Sequence, residues 1–345
     1  MSRKTVYNHG LVTPEKWESV NKENKELLEE FSNYLSSVGR SKETITQYEN
    51  DLRIFFVWYM EKGKNKHFTE IKKREVANFQ GWMLNDCGMS SARIRRMRSS
   101  LSSLSNAVEL LYDDEYPNFR NIINKIEAPV NNPVREKTIL TFDDCEEVAQ
   151  KLVEKGNYQL ACLLAFACYS GLRKQELTRL LVKDFTTDIK MELGGGFYST
   201  TPIKVKGRGN RTESKYVWNK VDKYLELFLK HREENGVNCE YLFYRKEGDT
   251  YKQLLVATMN SYSTTLSTLF GVQAYWHTFR HTYPTMLTKA GIPLKICKLL
   301  LGHGSLEMSA KYVDIDEKEE LNEFEGFFSG KEEVVKTREK GLGDL

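Results

Sequence analysis

Residues 158–171 read YQLACLLAFACYSG, a run that is apolar on nearly every side. A helix of that composition offers no polar face to water and has to be sheathed by other elements. Nowhere in the chain do the roughly eighteen consecutive apolar residues needed to cross a bilayer run together, so the stretch is not a membrane span. It predicts the buried central helix of a globular domain.

That domain does not account for the whole chain. Single hydrophobic cores stop growing near ~150 to 250 residues, and this chain has 345. The segment APVNNPVREK, with Pro129 and Pro133 flanking two asparagines, is the strongest linker signal. The expected organisation is a polar arm over 1–23, a helical domain over 24–128, a linker over 129–136, a second domain over 137–328 and a tail over 329–345.

Within the first domain, NKELLEEFSNYLSSVG and SKETITQYENDLRIFFVWYMEKG carry apolar residues at helical spacing and stop at Gly39 and Gly63. TEIKKREVANFQGWMLNDCG and SSARIRRMRSSLSSLSNAVELLYDDE repeat the pattern, each opened by a hydroxyl residue. Four or five helices follow from this. In the second domain, TFDDCEEVAQKLVEKG predicts a helix capped at Thr141. The stretch from Met191 to Lys220 changes to alternating, glycine-broken β character, and the remainder returns to helices. The fold class expected is mainly α with a small β-sheet.

A formal net charge of +3 is too small to identify a polyanionic partner, so the placement of charge matters more than its sum. Between Lys64 and Arg98 there are nine Lys or Arg against three acids. Lys72, Lys73, Arg74, Arg93, Arg95 and Arg96 lie in this stretch among serines, a mixture suited to phosphate oxygens; the alternative is a solvated helix face. The six cysteines form no CxxC pair and several sit in apolar runs, as buried free thiols of a reducing compartment do. The N-terminus lacks the apolar core of a signal peptide, and a cytoplasmic location is expected.

The chemistry-bearing residues cluster in the second domain. YSGLRKQELTRL puts Arg173 after a Gly-Leu turn at a helix start, WHTFRHTYP holds His277, Arg280 and His281, and LLLGHGS places His303 in a glycine-flanked turn, with Tyr312 nine residues later. Zinc is a poor fit, because HTFRH lacks the glutamate base of HExxH and an arginine among the ligands would be repelled by the ion. A hydrolytic triad fits no better, as no GxSxG elbow occurs. Two arginines, two histidines and a tyrosine suit a phosphodiester and its transition state.

In this order, G-L-R, a hairpin lysine, H-x-x-R-H, L-G-H and a tyrosine resemble the tyrosine site-specific recombinase (phage integrase) family. The resemblance implies a helical, SAM-like core-binding domain followed by a catalytic domain, and a site-specific recombinase or integrase that works through a 3′-phosphotyrosine intermediate. It implies Tyr312 as nucleophile, Arg173 and Arg280 as clamps on the non-bridging oxygens, and His303 as a further donor. It also implies His277 in proton transfer, and neither metal nor cofactor. The hairpin lysine falls in IKVKGRGNRTESK. There the family pattern lays Arg208 over the lysine, Lys206 is the nearest lysine, and Lys204 is a remoter candidate. An arginine is a poor proton donor, which favours Lys206.

The partners implied are double-stranded DNA, bound by both domains, and further copies of the chain. A tetramer on paired sites would form through the C-terminal segment bearing Leu321, Phe324, Phe327 and Phe328. A recombinase-fold DNA-binding protein without strand exchange, such as a repressor, is the alternative. His281 reads as a packing residue or a support for its neighbours rather than a chemical group, and Pro284 is expected to kink a helix that begins near Arg280.

Overall fold

The computed structural model describes residues 10–130, 138–186, 192–193, 196–205 and 211–302. They form two compact units, one of residues 10–130 and the other of residues from 138 onward.

The first unit contains α1 (Pro14–Glu18), α2 (Lys22–Ser37), α3 (Lys42–Lys62), α4 (Lys73–Asn85) and α5 (Ser91–Leu111). Helix α2 buries Asn24, Leu27, Leu28, Phe31 and Leu35, one stripe at helical spacing. Ser41 and Ser90 cap α3 and α5, their hydroxyls accepting from the N–H groups of Thr44 and Arg93 at 3.3 Å. The core is strongly aromatic: Phe55 stands edge-on to Phe68 and Phe79, with ring centroids 5.9 and 5.1 Å apart.

Two features depart from expectation. Residues 66–72 do not open a helix at Thr69. Asn24, itself buried, accepts from Phe68 N–H and donates to the Lys66 carbonyl, both at 2.8 Å, so the segment stays extended before a short 3-10 turn at Phe68–Glu70. Helix α4 then starts after Lys72, whose N–H donates to Glu75 at 2.9 Å. The described part of the expected polar arm is also ordered onto the domain. Val20 is buried, Trp17 packs on the core with the Arg53 guanidinium 5.0 Å from its ring centre, and Asn65 bonds Asn21 and Ser19 through its side chain.

The second unit is built around the apolar run. It forms α7 (Tyr158–Ser170), in which every residue from Leu160 to Ser170 is buried. It is enclosed by α6 (Phe142–Glu154), α10 (Asp222–Glu234), α12 (Trp276–Lys289) and a small antiparallel sheet. That sheet runs β1 (Glu192–Leu193), β2 (Phe197–Ser199), β5 (Tyr216–Trp218), with Phe197 opposite Trp218 and Ser199 opposite Tyr216. Two further strand pairs are β3 (Ile203–Lys204) with β4 (Thr212–Glu213), and β6 (Tyr244–Glu247) with β7 (Thr250–Gln253). Short helices α8 (Lys174–Leu177) and α9 (Lys183–Thr186) follow α7, and α11 (Val256–Phe270) and α13 (Leu294–Leu301) flank α12. The architecture is mainly helical with small sheets, as the hydrophobic patterning predicts.

Helix α12 begins at Trp276, four residues before the start expected near Arg280, so Pro284 stands well inside it. Proline has no N–H to offer the Arg280 carbonyl, yet the helix continues to Lys289. Tyr283, Leu287, Cys297, Leu300 and Leu301 form an apolar cluster that joins α12 to α13. Of the six cysteines, Cys145, Cys162, Cys168 and Cys297 are buried and all six are free thiols. No described helix is long and apolar enough to cross a membrane.

Candidate active site and its cationic neighbours

Helix α7 ends at Gly171, in the left-handed region at φ 59°. A Cβ there would lie 2.6 Å from Leu301 Cδ2 and 2.8 Å from Tyr283 Cδ1, so both the backbone angle and the space call for glycine. The turn delivers Arg173 to the start of α8. Its main-chain N–H and its Nη1 each donate to the Glu176 carboxylate at 2.9 Å. Arg173 keeps 29% of its side chain exposed, whereas Glu176 is buried.

Arg280 comes from the second turn of α12 and is 1% exposed. Its Nη1 donates to the carbonyl of Gly171 at 2.5 Å and its Nη2 to the carbonyl of Leu301 at 3.0 Å. One guanidinium therefore ties the end of α7, two residues before Arg173, to the end of α13. Helix α13 closes at Gly302, again left-handed at φ 61°, directly before His303.

His277 lies one residue inside α12, on the surface, with its ring edge-on to His281 at 4.7 Å between centroids. Partial desolvation, and then the cations of Arg280 and Arg173, push its pKa below the ordinary imidazole value. The shift favours the neutral imidazole, the form able to accept a proton.

Lys204 is exposed on β3, beside the buried Ile203. Lys206, Arg208, His303, Tyr312 and the segment with Leu321, Phe324, Phe327 and Phe328 lie outside the described residues. A lysine absent from the sequence reading stands inside the site. Lys215 is 1% exposed, with its Nζ 2.7 Å from Glu213 and 3.9 Å from Glu176, the partner of Arg173. Burial alone would raise the Glu213 carboxyl, but Lys215 and Arg211 together hold it below the usual range. The two-residue spacing of Glu213 and Lys215 was the available signal, since in an extended stretch it allows both side chains to share one face. Among the described residues no three His, Cys, Asp or Glu side chains gather as a metal site would require.

In the first unit Lys72, Lys73 and Arg74 are exposed at the start of α4, and Arg95 and Arg96 are exposed on α5. Arg93 is turned inward, with its side chain 15% exposed and Nη1 2.5 Å from the buried Asp51 carboxylate. Asp51 also accepts from Ser100 at 2.9 Å and lies 3.8 Å from Arg96. Arg95 donates to the Pro129 carbonyl at 2.9 Å.

The phage integrase family profile matches residues 138–319, and the N-terminal SAM-like domain of phage integrases matches residues 27–114. The chain belongs to the phage integrase family. A Bacillus subtilis relative of this family, the SPbeta prophage-derived recombinase-like protein YomM, is 30% identical over 321 residues, covering 90% of this chain and 93% of its own. Tyrosine recombinase XerA of Pyrococcus horikoshii is 25% identical over 298 residues, covering 86% and 91%. The structure of the XerH site-specific recombinase bound to palindromic difH substrate, a post-cleavage complex, superposes with a TM-score of 0.63. It is 21% identical and covers 91% of this chain and 93% of that one. As a phage integrase the chain is a tyrosine-type recombinase, with the SAM-like domain first and the catalytic domain second.

Proposed function

We propose that this phage integrase cuts and rejoins double-stranded DNA at specific sites, using Tyr312 as nucleophile. The phenolic oxygen attacks the scissile phosphorus, the bond to the 5′-oxygen breaks, and a 3′-phosphotyrosine and a free 5′-hydroxyl result. His277 takes the phenolic proton, and Lys206 protonates the departing oxygen. Arg173, Arg280 and His303 bond the non-bridging oxygens, whose charge rises in the transition state. Rejoining is the reverse: a 5′-hydroxyl attacks, and the tyrosine leaves. The covalent link conserves the phosphodiester energy, so no metal or nucleotide enters.

The observation that carries this reading is the convergence of Arg280, through Gly171, on the turn that bears Arg173, with His277 close enough to both arginines for their charge to lower its pKa. DNA is held by both units, the first contributing Lys72, Lys73, Arg74, Arg95 and Arg96. Three of these cations stand at the start of α4, where the helix dipole is already positive and attracts anions. The C-terminal stripe of Leu321, Phe324, Phe327 and Phe328 docks on a neighbouring copy to give a tetramer on paired sites. The free thiols suit the cytoplasm, where such DNA lies.

One observation favours a second reading, DNA binding without strand exchange: both terminal nitrogens of Arg280 donate to main-chain carbonyls. A duplex nicked beside the scissile phosphate separates the two. A covalent adduct that depends on Tyr312 supports the recombinase; tight binding with no adduct supports the repressor-like protein.

A further inference from the structure

Among the described residues the most deeply buried cation of the catalytic unit other than Arg280 is Lys215, on the segment between β4 and β5. Its main chain is clamped: its N–H donates to the Thr200 hydroxyl at 3.0 Å, its carbonyl accepts from Thr200 N–H at 2.9 Å, and Thr200 is fully buried. The ammonium therefore has a fixed origin. It meets Glu213 at 2.7 Å and Glu176 at 3.9 Å. Arg211 reaches the other oxygen of Glu213 at 2.5 Å from the surface side.

A buried ion pair of this kind is a weak device for stability, since an apolar side chain of the same volume commonly does as well. Its geometry points elsewhere. Oxygen Oε1 of Glu176 serves both Arg173 Nη1 and Lys215 Nζ, at 2.9 and 3.9 Å. Lys215 thus draws off part of the negative charge that would otherwise neutralise Arg173, and it fixes the carboxylate on which Arg173 rests. On its other side, a Cβ at Gly302 would stand 2.8 Å from Lys215 Nζ and 3.1 Å from Glu213 Oε2. The turn that leads into His303 is built directly against this pair.

We propose that Lys215 is a positioning residue of the recombination centre: with Glu213 and Glu176 it holds Arg173 and the Gly302 turn in register on one phosphate. The inference rests on the strand-cleavage reading above. Lys215 acts through Arg173 and the turn, and it does not transfer the proton to the leaving oxygen.

The test uses the full chain and three nicked duplexes: one with an ordinary scissile phosphate, one with a methylphosphonate there, and one with a 5′-bridging sulfur. Wild type forming an adduct on the ordinary duplex is the check on the cleavage reading itself; the variants then test Lys215. Lys215→Met should slow single-turnover cleavage of the ordinary duplex by about a hundred-fold, the scale of losing one preorganised electrostatic contribution. Site affinity should stay within a few-fold, which also reports that the variant is folded. Lys215→Arg should recover most of the rate, and the near-isosteric Glu213→Gln should be slowed in the same sense without loss of volume.

On the methylphosphonate, which lacks the charge that Arg173 stabilises, the Lys215→Met defect should shrink. A defect of equal size on that duplex would mean a general structural effect and overturn the proposal. Recovery of Lys215→Met on the bridging-sulfur duplex, whose leaving group needs no proton, would make Lys215 the acid and overturn it as well. Wild-type rates in Lys215→Met would remove any role.

Discussion

Arg280 Nη1 donates to the carbonyl of Gly171, a residue 109 positions earlier in the chain, at 2.5 Å. This bond makes the arginine a structural tie in addition to the phosphate-binding role proposed for it, so removing it should cost twice. Arg280→Ala should destabilise the catalytic unit by about 3 kcal/mol or more, because two charge-assisted hydrogen bonds are lost and two buried carbonyls are left unpaired. Cleavage should fall on the order of a hundred to a thousand-fold in addition. Denaturant melts and single-turnover cleavage measured on one preparation separate the two effects. A variant that kept full stability would show the tie to be dispensable.

Gly171 should tolerate no side chain. In Gly171→Ala the added carbon meets Leu301 and Tyr283 at 2.6 and 2.8 Å, in a left-handed backbone. A loss of about 1 to 3 kcal/mol is expected from backbone strain alone. Urea titration checks it, and an unchanged midpoint would contradict the packing described at the end of α7.

The cations of α5 should divide by role. Arg95→Ala and Arg96→Ala should each weaken DNA binding across sequences and reduce the salt slope by up to about one unit per lost phosphate contact. Arg93→Ala should instead destabilise the first unit, since it removes the cation nearest the buried Asp51 carboxylate. Binding titrations over a range of salt, paired with melting curves, distinguish these outcomes. A salt slope that falls most in Arg93→Ala would reverse the assignment.

The difference between Arg93 and its neighbours shows where reading the sequence stops. Helices, caps, the central apolar helix and the residue types Arg173, His277 and Arg280 follow from periodicity and motif spacing. Which face of α5 turns inward depends on Asp51, a residue on another helix that needs a cation once buried. The start of α4 was misplaced for a similar reason, because Asn24 holds the preceding segment extended. The role of Lys215 is not legible in the sequence because its second partner, Glu176, meets it only in the folded unit. The depth of Pro284 followed from a helix start at Trp276 that the HTFRH motif does not announce.

His277 sets the expected pH dependence. Desolvation and the two arginines lower its pKa, so the neutral base persists below the ordinary imidazole value of about 6.5. The acid limb of the cleavage rate should therefore lie below that value, and His277→Ala should abolish it. The same shift bears on folding: the folded state resists protonation that the unfolded chain accepts. The contribution to stability is then full above the unfolded pKa and is lost as pH falls through the folded one. Single-turnover rates between pH 5 and 8 provide the check, and an acid limb above the ordinary value would contradict the shift.

The claim that this phage integrase breaks DNA through Tyr312 is tested most directly by one substitution. Wild type and Tyr312→Phe are incubated with a nicked duplex carrying the protein's own site, and protein–DNA adducts are resolved under denaturing conditions. The account predicts an adduct for wild type and none for Tyr312→Phe, with binding by the two proteins equal within a few-fold. An adduct formed by Tyr312→Phe, or none formed by wild type while it binds the site tightly, would contradict it.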